Sequence, residues 1–167
     1  MKLIIASLLV FSLVILFLFA LFPSDISVTR IVEINRSKID VSHKIADMRE
    51  WKSWNEMLVN GLDNIKKVYA PVKTDSVHIQ KGYFTIDLLK AVPDTMITVW
   101  QQGKKSFTGN YYLSGTDRQT VVEWTLRFHV QWYPWDKLAS MFYDKNLGPL
   151  MEKSLMNLKN EMETPLH

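Results

Sequence analysis

There is no cysteine among the 167 residues, so the fold depends neither on disulfides nor on thiol chemistry, and a structural zinc site has poor material. The four histidines, His43, His78, His129 and His167, are not spaced as paired ligands on a helix or strand. Neither a metal nor a cofactor is expected. Glycine-rich phosphate loops and a nucleophile elbow are missing too, since Gly148-Pro149 and Ser114-Gly115 read as turn chemistry. Charge of one sign is also scarce: 20 basic side chains stand against 17 acidic ones. Lys66-Lys67 and Lys104-Lys105 are isolated doublets, and nucleic acid, which needs a clustered basic face, is excluded as an expected partner. No Ser/Gly-rich linker, charge block or internal repeat divides the chain.

What is present begins with an apolar run. Leu3 to Phe22 holds twenty positions without a charge, an amide or a proline. At about 1.5 Å of rise per residue, such a helix covers the roughly 30 Å hydrocarbon core of a bilayer. Residues 1–22 therefore read as a transmembrane anchor and 23–167 as one domain beside the membrane. A cleaved secretory signal is the competing reading, and Lys2 suits its basic start. Its small-x-small exit is missing, because Ala20 is followed by Leu21, Phe22 and Pro23. The amine and Lys2 lie before the run, whereas the first basic residue after it is Arg30. The positive-inside bias thus leaves the N-terminus cytoplasmic and the domain extracytoplasmic, periplasmic in a Gram-negative cell.

Within the domain, Val28 to Ile34 is rich in β-branched residues and predicts a strand. Ser37 is placed to cap a helix carrying Val41, Ile45 and Met48 at helical spacing, closed by the Trp51 to Trp54 turn. From Asn64 to Val130 the period becomes two. Runs at Ile65–Tyr69, Val77–Gln80, Tyr83–Leu89, Thr95–Gln101, Ser106–Leu113 and Thr120–Trp132 predict an antiparallel meander. In the last run Val122, Trp124, Leu126, Phe128 and Val130 share one face, and Glu123, Thr125, Arg127, His129 and Gln131 the other. Beyond Pro134 an apolar stripe from Leu138 to Met162 predicts a short helix, a break at Gly148-Pro149 and a long terminal helix.

Two segments carry a resemblance, Val28 to Asn55 (VTRIVEINRSKIDVSHKIADMREWKSWN) and Trp132 to Glu163 (WYPWDKLASMFYDKNLGPLMEKSLMNLKNEME). They resemble the opening and closing regions of the START-like helix-grip superfamily (SRPBCC), in particular membrane-tethered bacterial members of its polyketide cyclase/dehydrase-like group. Arg36-Ser37 stands where that group usually has Ala-Pro, and Asn55-Glu56-Met57 where an apolar pair is common. The resemblance implies an α+β helix-grip fold, a curved antiparallel sheet wrapped around a long C-terminal helix, with a cavity between the two. In relatives that cavity accepts lipids, sterols or polyketides.

Trp54, Trp100, Trp124, Phe128, Phe142, Met151 and Leu155 are the candidate lining of that cavity. Large aromatics line apolar pockets and also fill cores, and both readings stand for Trp124 and Phe128. The methionines at 141, 151, 156 and 162 suit a variable ligand or an irregular core. Trp132-Tyr133-Pro134-Trp135 has a third reading, an aromatic loop at the membrane interface. No catalytic residue is assigned, and an enzyme is not the expected class. The expected function is a membrane-anchored binding protein for a hydrophobic, lipid-like small molecule, with the membrane as its other partner. The alternatives are a cyclase or dehydratase using Glu123, His129 or Asp87 as proton carriers, and a ligand-free scaffold.

Overall fold

The computed structural model describes residues 2–20, 23–59, 68–69, 78–81, 84–102 and 105–164. The strand positions Ile65 to Lys67, Val77 and Tyr83, the Lys66-Lys67 doublet, and the end of the apolar run at Leu21-Phe22 lie outside the described residues. A first helix, α1 (Lys2–Ala20), precedes strand β1 (Asp25–Ile34), helix α2 (Lys38–Ala46), a 3-10 turn (Met48–Glu50) and the short helices α3 (Trp51–Trp54) and α4 (Glu56–Val59). The meander follows as β2 (Val68–Tyr69), β3 (His78–Lys81), β4 (Phe84–Val92), β5 (Thr95–Gln102), β6 (Lys105–Gly115) and β7 (Thr120–His129). Helices α5 (Pro134–Ser140) and α6 (Tyr143–Glu163) close the chain.

The seven strands form one antiparallel sheet in the order β1-β7-β6-β5-β4-β3-β2, so the first strand is paired with the last. β1 starts at Asp25, earlier than composition predicts, because Asp25 and Ser27 pair with His129 and Arg127 of β7. Partners, not propensity, set its length. Ser37 does cap α2, accepting from the Asp40 amide at 3.2 Å. The last strand stops at His129 rather than Trp132, and the Val130 amide turns to the Ser24 carbonyl at 2.7 Å.

The terminal helix departs from expectation in one respect. The break falls at Met141-Phe142, and α6 runs on through Gly148-Pro149. Gly148 instead receives a side chain: a Cβ there would come within 2.0 Å of Arg30 Nη2. The Arg30 guanidinium lies over this glycine and reaches Asp144 at 2.9 Å, clamping the start of α6 to β1. The other end of α6 is held by Glu163, which accepts from the Asn35 amide at 2.7 Å. Asn55-Glu56, an unusual pair for an otherwise apolar turn, also serves the helix. The Asn55 Oδ1 accepts from the Met57 amide, and buried Glu56 takes Lys153 of α6 at 2.7 Å.

Among the described residues no helix is long and apolar enough to cross a membrane. The side chains described for α1 are those of residues 3–17. Those side chains are nevertheless open along the helix, from Leu3 at 87% exposure to Phe17 at 66%. The domain does not bury them; α1 touches α5.

Candidate functional site

The space between sheet and α6 is built from rings. β5 contributes Trp100, β6 Tyr111 and β7 Trp124; α3 adds Trp51 and Trp54, and α6 closes the layer with Met151, Leu155 and Leu158. The five rings are fully or almost fully buried. Tyr111 is central: it stacks on Trp124 at 5.0 Å and 16°, and meets Trp51 and Trp54 edge-on at 5.7 and 6.4 Å. Alternation on three neighbouring strands puts these residues on one face, and Gly109 makes the room. A Cβ at Gly109 would meet Trp100 Nε1 at 2.7 Å and Thr98 Oγ1 at 2.8 Å. Only a residue without a side chain allows the indole to lie across β6.

The polar atoms of these rings divide into two sets. Trp51 Nε1 donates to the Ile45 carbonyl at 2.8 Å, and Trp100 Nε1 to Thr98 Oγ1 at 3.0 Å. Trp54 Nε1, Trp124 Nε1 and the Tyr111 hydroxyl are buried with no hydrogen-bond partner. Burial pushes the Tyr111 phenol well above its ordinary range, so it stays protonated and is available as a donor.

From this layer a run of rings leads to the α5 end of the domain. Trp100 stacks on Phe107 at 5.7 Å, Phe107 meets Phe128 at 4.6 Å, and Phe128 meets Tyr143 at 4.8 Å. Phe107, Phe128 and Tyr143 are only partly buried, so the aromatic layer thins toward solvent at that end.

Of the candidate lining residues, Trp54, Trp100, Trp124, Met151 and Leu155 come together in the buried layer, and Phe128 stands in the run at its edge. Phe142 does not join them. It is 55% exposed, because the break at Met141-Phe142 resets the helical phase and Tyr143 takes the inward position. Sequence reasoning missed Tyr111 and Phe107, although their alternation in Ser106–Leu113 was the available signal, and it missed Gly109. The acid/base nominees lie elsewhere. Glu123, His129 and Asp87 alternate with the buried residues of β7 and β4 and face away from α6. His129 pairs with Asp25 at 2.8 Å in the open. A depression of about 750 Å³ spans that outer face, with Thr29, Thr108, Glu123, Thr125 and Arg127 among its lining. No group of metal-ligating side chains exists among the described residues.

Residues 25–163 match the sequence profile of a family described as polyketide cyclase / dehydrase and lipid transport. The chain belongs to that family. The match takes in the whole sheet, the ring layer and α6, and leaves α1 outside. Solved structures agree on the fold. A solution structure from Thermobifida fusca has a TM-score of 0.61 at 14% identity, over 84% of this chain and 97% of that one. CalU16 from Micromonospora echinospora has a TM-score of 0.56 at 15% identity, covering 82% and 74%. StfQ, a two-domain ARO/CYC protein of the steffimycin biosynthetic pathway, has a TM-score of 0.60 at 9% identity, and the chain spans about half of it, 83% against 51%. No curated protein matches the chain. As a family member, the domain is of a hydrophobic-ligand-binding or cyclase type, and its candidate site is the ring layer under α6.

Proposed function

We propose that this protein is a membrane-tethered binder of an apolar, lipid-like molecule that carries a hydrogen-bond-accepting oxygen, held between the sheet and α6. One observation carries the reading: Trp54 Nε1, Trp124 Nε1 and the Tyr111 hydroxyl are unpartnered within a single buried ring cluster. An unsatisfied buried donor costs about 1–3 kcal/mol. A ligand oxygen entering among these rings relieves that cost, while its hydrocarbon part replaces ring contacts. The run Phe107, Phe128, Tyr143 is the apolar way in.

The tether reading is supported by the open apolar side chains described for α1, from Leu3 to Phe17, and by their continuation to Phe22 in the sequence. Lys2 before the run and Arg30 after it favour a cytoplasmic N-terminus and an extracytoplasmic domain. A cyclase or dehydratase needs a proton carrier beside its substrate, and Glu123, His129 and Asp87 are on the other face of the sheet. The binding reading is therefore preferred.

The test is organic extraction and mass spectrometry of the purified full-length protein, together with uptake of a pyrene-labelled phospholipid from vesicles. The expected result is a bound oxygen-bearing lipid-like molecule, reduced several-fold in Tyr111→Phe. A protein that releases nothing and takes up no labelled lipid overturns the proposal in favour of a scaffold.

A further inference from the structure

Among the described residues, all the exposed aromatic side chains of this domain but Tyr112 gather in one place. After β7 the chain passes through Trp132, Tyr133 and Trp135 into α5, and Leu138, Met141 and Phe142 follow. All six are open to solvent, with Trp132 and Trp135 at 65% and 66%. They are ordered: Trp132 meets Tyr133 at 5.1 Å, and Tyr133 stacks on Trp135 at 5.2 Å and 8°. Lys105 to Asp136, at 3.1 Å, ties the start of α5 to β6. Such a set contributes nothing to the core and is a liability in water.

The connection to α1 says what covers it. The Val130 amide is bonded to the Ser24 carbonyl at 2.7 Å, so the loop that begins at Val130 starts within a few residues of the end of α1. Four residues beyond Ala20 span at most about 14 Å. The headgroup zone beyond each side of the hydrocarbon core is about 5–8 Å deep, and α1 also touches α5. If α1 sits in the bilayer, Trp132 to Phe142 cannot stand far from its surface. Tryptophan and tyrosine favour that boundary, where an apolar ring body and an N–H or O–H are both accommodated.

We infer that Trp132, Tyr133, Trp135 and the outer face of α5 dock into the interfacial layer of the same bilayer, seating the domain with the Phe107, Phe128, Tyr143 end facing the lipid. This rests on the tether reading and adds to it an orientation. The mouth of the ring run is turned toward the membrane, and lipid reaches it without crossing water.

The experiment is tryptophan quenching in full-length protein reconstituted into vesicles whose phosphatidylcholine is brominated near the top of the acyl chain. Carbonate extraction of the same vesicles is the control for α1. The chain has six tryptophans, and Trp51, Trp54, Trp100 and Trp124 are buried. The expected result is strong quenching of one emission component, lost at least fivefold in Trp132→Phe/Trp135→Phe, with α1 resisting carbonate. Resistance to carbonate without such quenching overturns the docking and leaves the tether standing. Trp132 and Trp135 shielded from acrylamide but not quenched by bromolipid would mean that a protein partner or a second copy covers them, which also overturns it. Release by carbonate with no quenching overturns both.

Discussion

The two ends of this domain solve the same problem differently. At the end where β1 finishes, polar contacts tie β1, α2 and the β4–β5 turn to their neighbours. Glu163 takes the Asn35 amide and side chain at 2.7 and 3.0 Å, Arg36 Nε donates to the Met162 carbonyl at 2.5 Å, and Lys38 pairs with Asp94. Lys44 joins α2 to α6 through Glu161 at 3.0 Å and to Glu50 at 2.6 Å. Exposed large apolar residues there, such as Ile39 and Tyr112, are scattered. At the end where β1 begins, ion pairs exist too, but the surface between them is Trp132, Tyr133, Trp135, Leu138, Met141 and Phe142. A surface selected only for water does not gather its aromatics this way. The tied end holds the fold together, and the aromatic end is the surface proposed to dock at the bilayer.

That contrast is broken most visibly by truncating one tryptophan of each kind. Trp51 is buried, hydrogen-bonded to Ile45 and in contact with three other rings. Trp51→Ala is expected to cost about 3–5 kcal/mol in urea unfolding of the detergent-solubilised chain. The same truncation at exposed Trp135 should stay within about 0.5 kcal/mol. Equal losses at the two positions would mean that the aromatic end is core after all. A smaller effect sharpens the account of the tied end. Glu163→Ala removes both bonds to Asn35 and should lower stability by about 1 kcal/mol while leaving lipid contact unchanged.

The smallest effect concerns pH. Burial works against the Lys44 charge, but hydrogen bonds to Glu50 and Glu161 outweigh it and raise its pKa above the ordinary 10.5. A raised lysine pKa gives a contribution that is complete below about pH 10.5 and lost as pH climbs through the folded value. Being partly exposed, the ion pairs of Lys44 are worth under about 1 kcal/mol. Wild type and Lys44→Met should therefore differ slightly in melting temperature at pH 8 and converge as pH climbs through the raised lysine value. A difference that persists there would assign the effect to packing of the aliphatic stem.

Much of this architecture was legible in the sequence, for identifiable reasons. The alternation from Val122 to Val130 assigns the inner and outer faces of β7, and Ser37 announces the start of α2, because both signals are local. The α6 continuity was not legible: Gly148-Pro149 is ordinarily a stop, and only the Arg30 guanidinium seated on Gly148 shows why a glycine stands inside the helix. The site was half legible for the same reason. Trp54, Trp100, Trp124, Met151 and Leu155 lie together in the buried layer. Phe142 fell out because a break at Met141-Phe142 shifts the phase by which inward positions are counted. Which indoles find partners is decided by the Ile45 carbonyl and by Thr98 beside Gly109. Such tertiary placements leave no mark on spacing.

The absence of cysteine makes a direct test of the central claim simple. Single cysteines placed at Met141, on the aromatic end, and at Arg118, in the turn at the tied end, would carry a nitroxide in full-length protein reconstituted in vesicles. Collision with oxygen, which concentrates in lipid, and with a water-soluble nickel chelate then reports the depth of each label. The account predicts an oxygen-rich, nickel-poor environment at 141 and the reverse at 118. Nickel-accessible labels at both positions would contradict it.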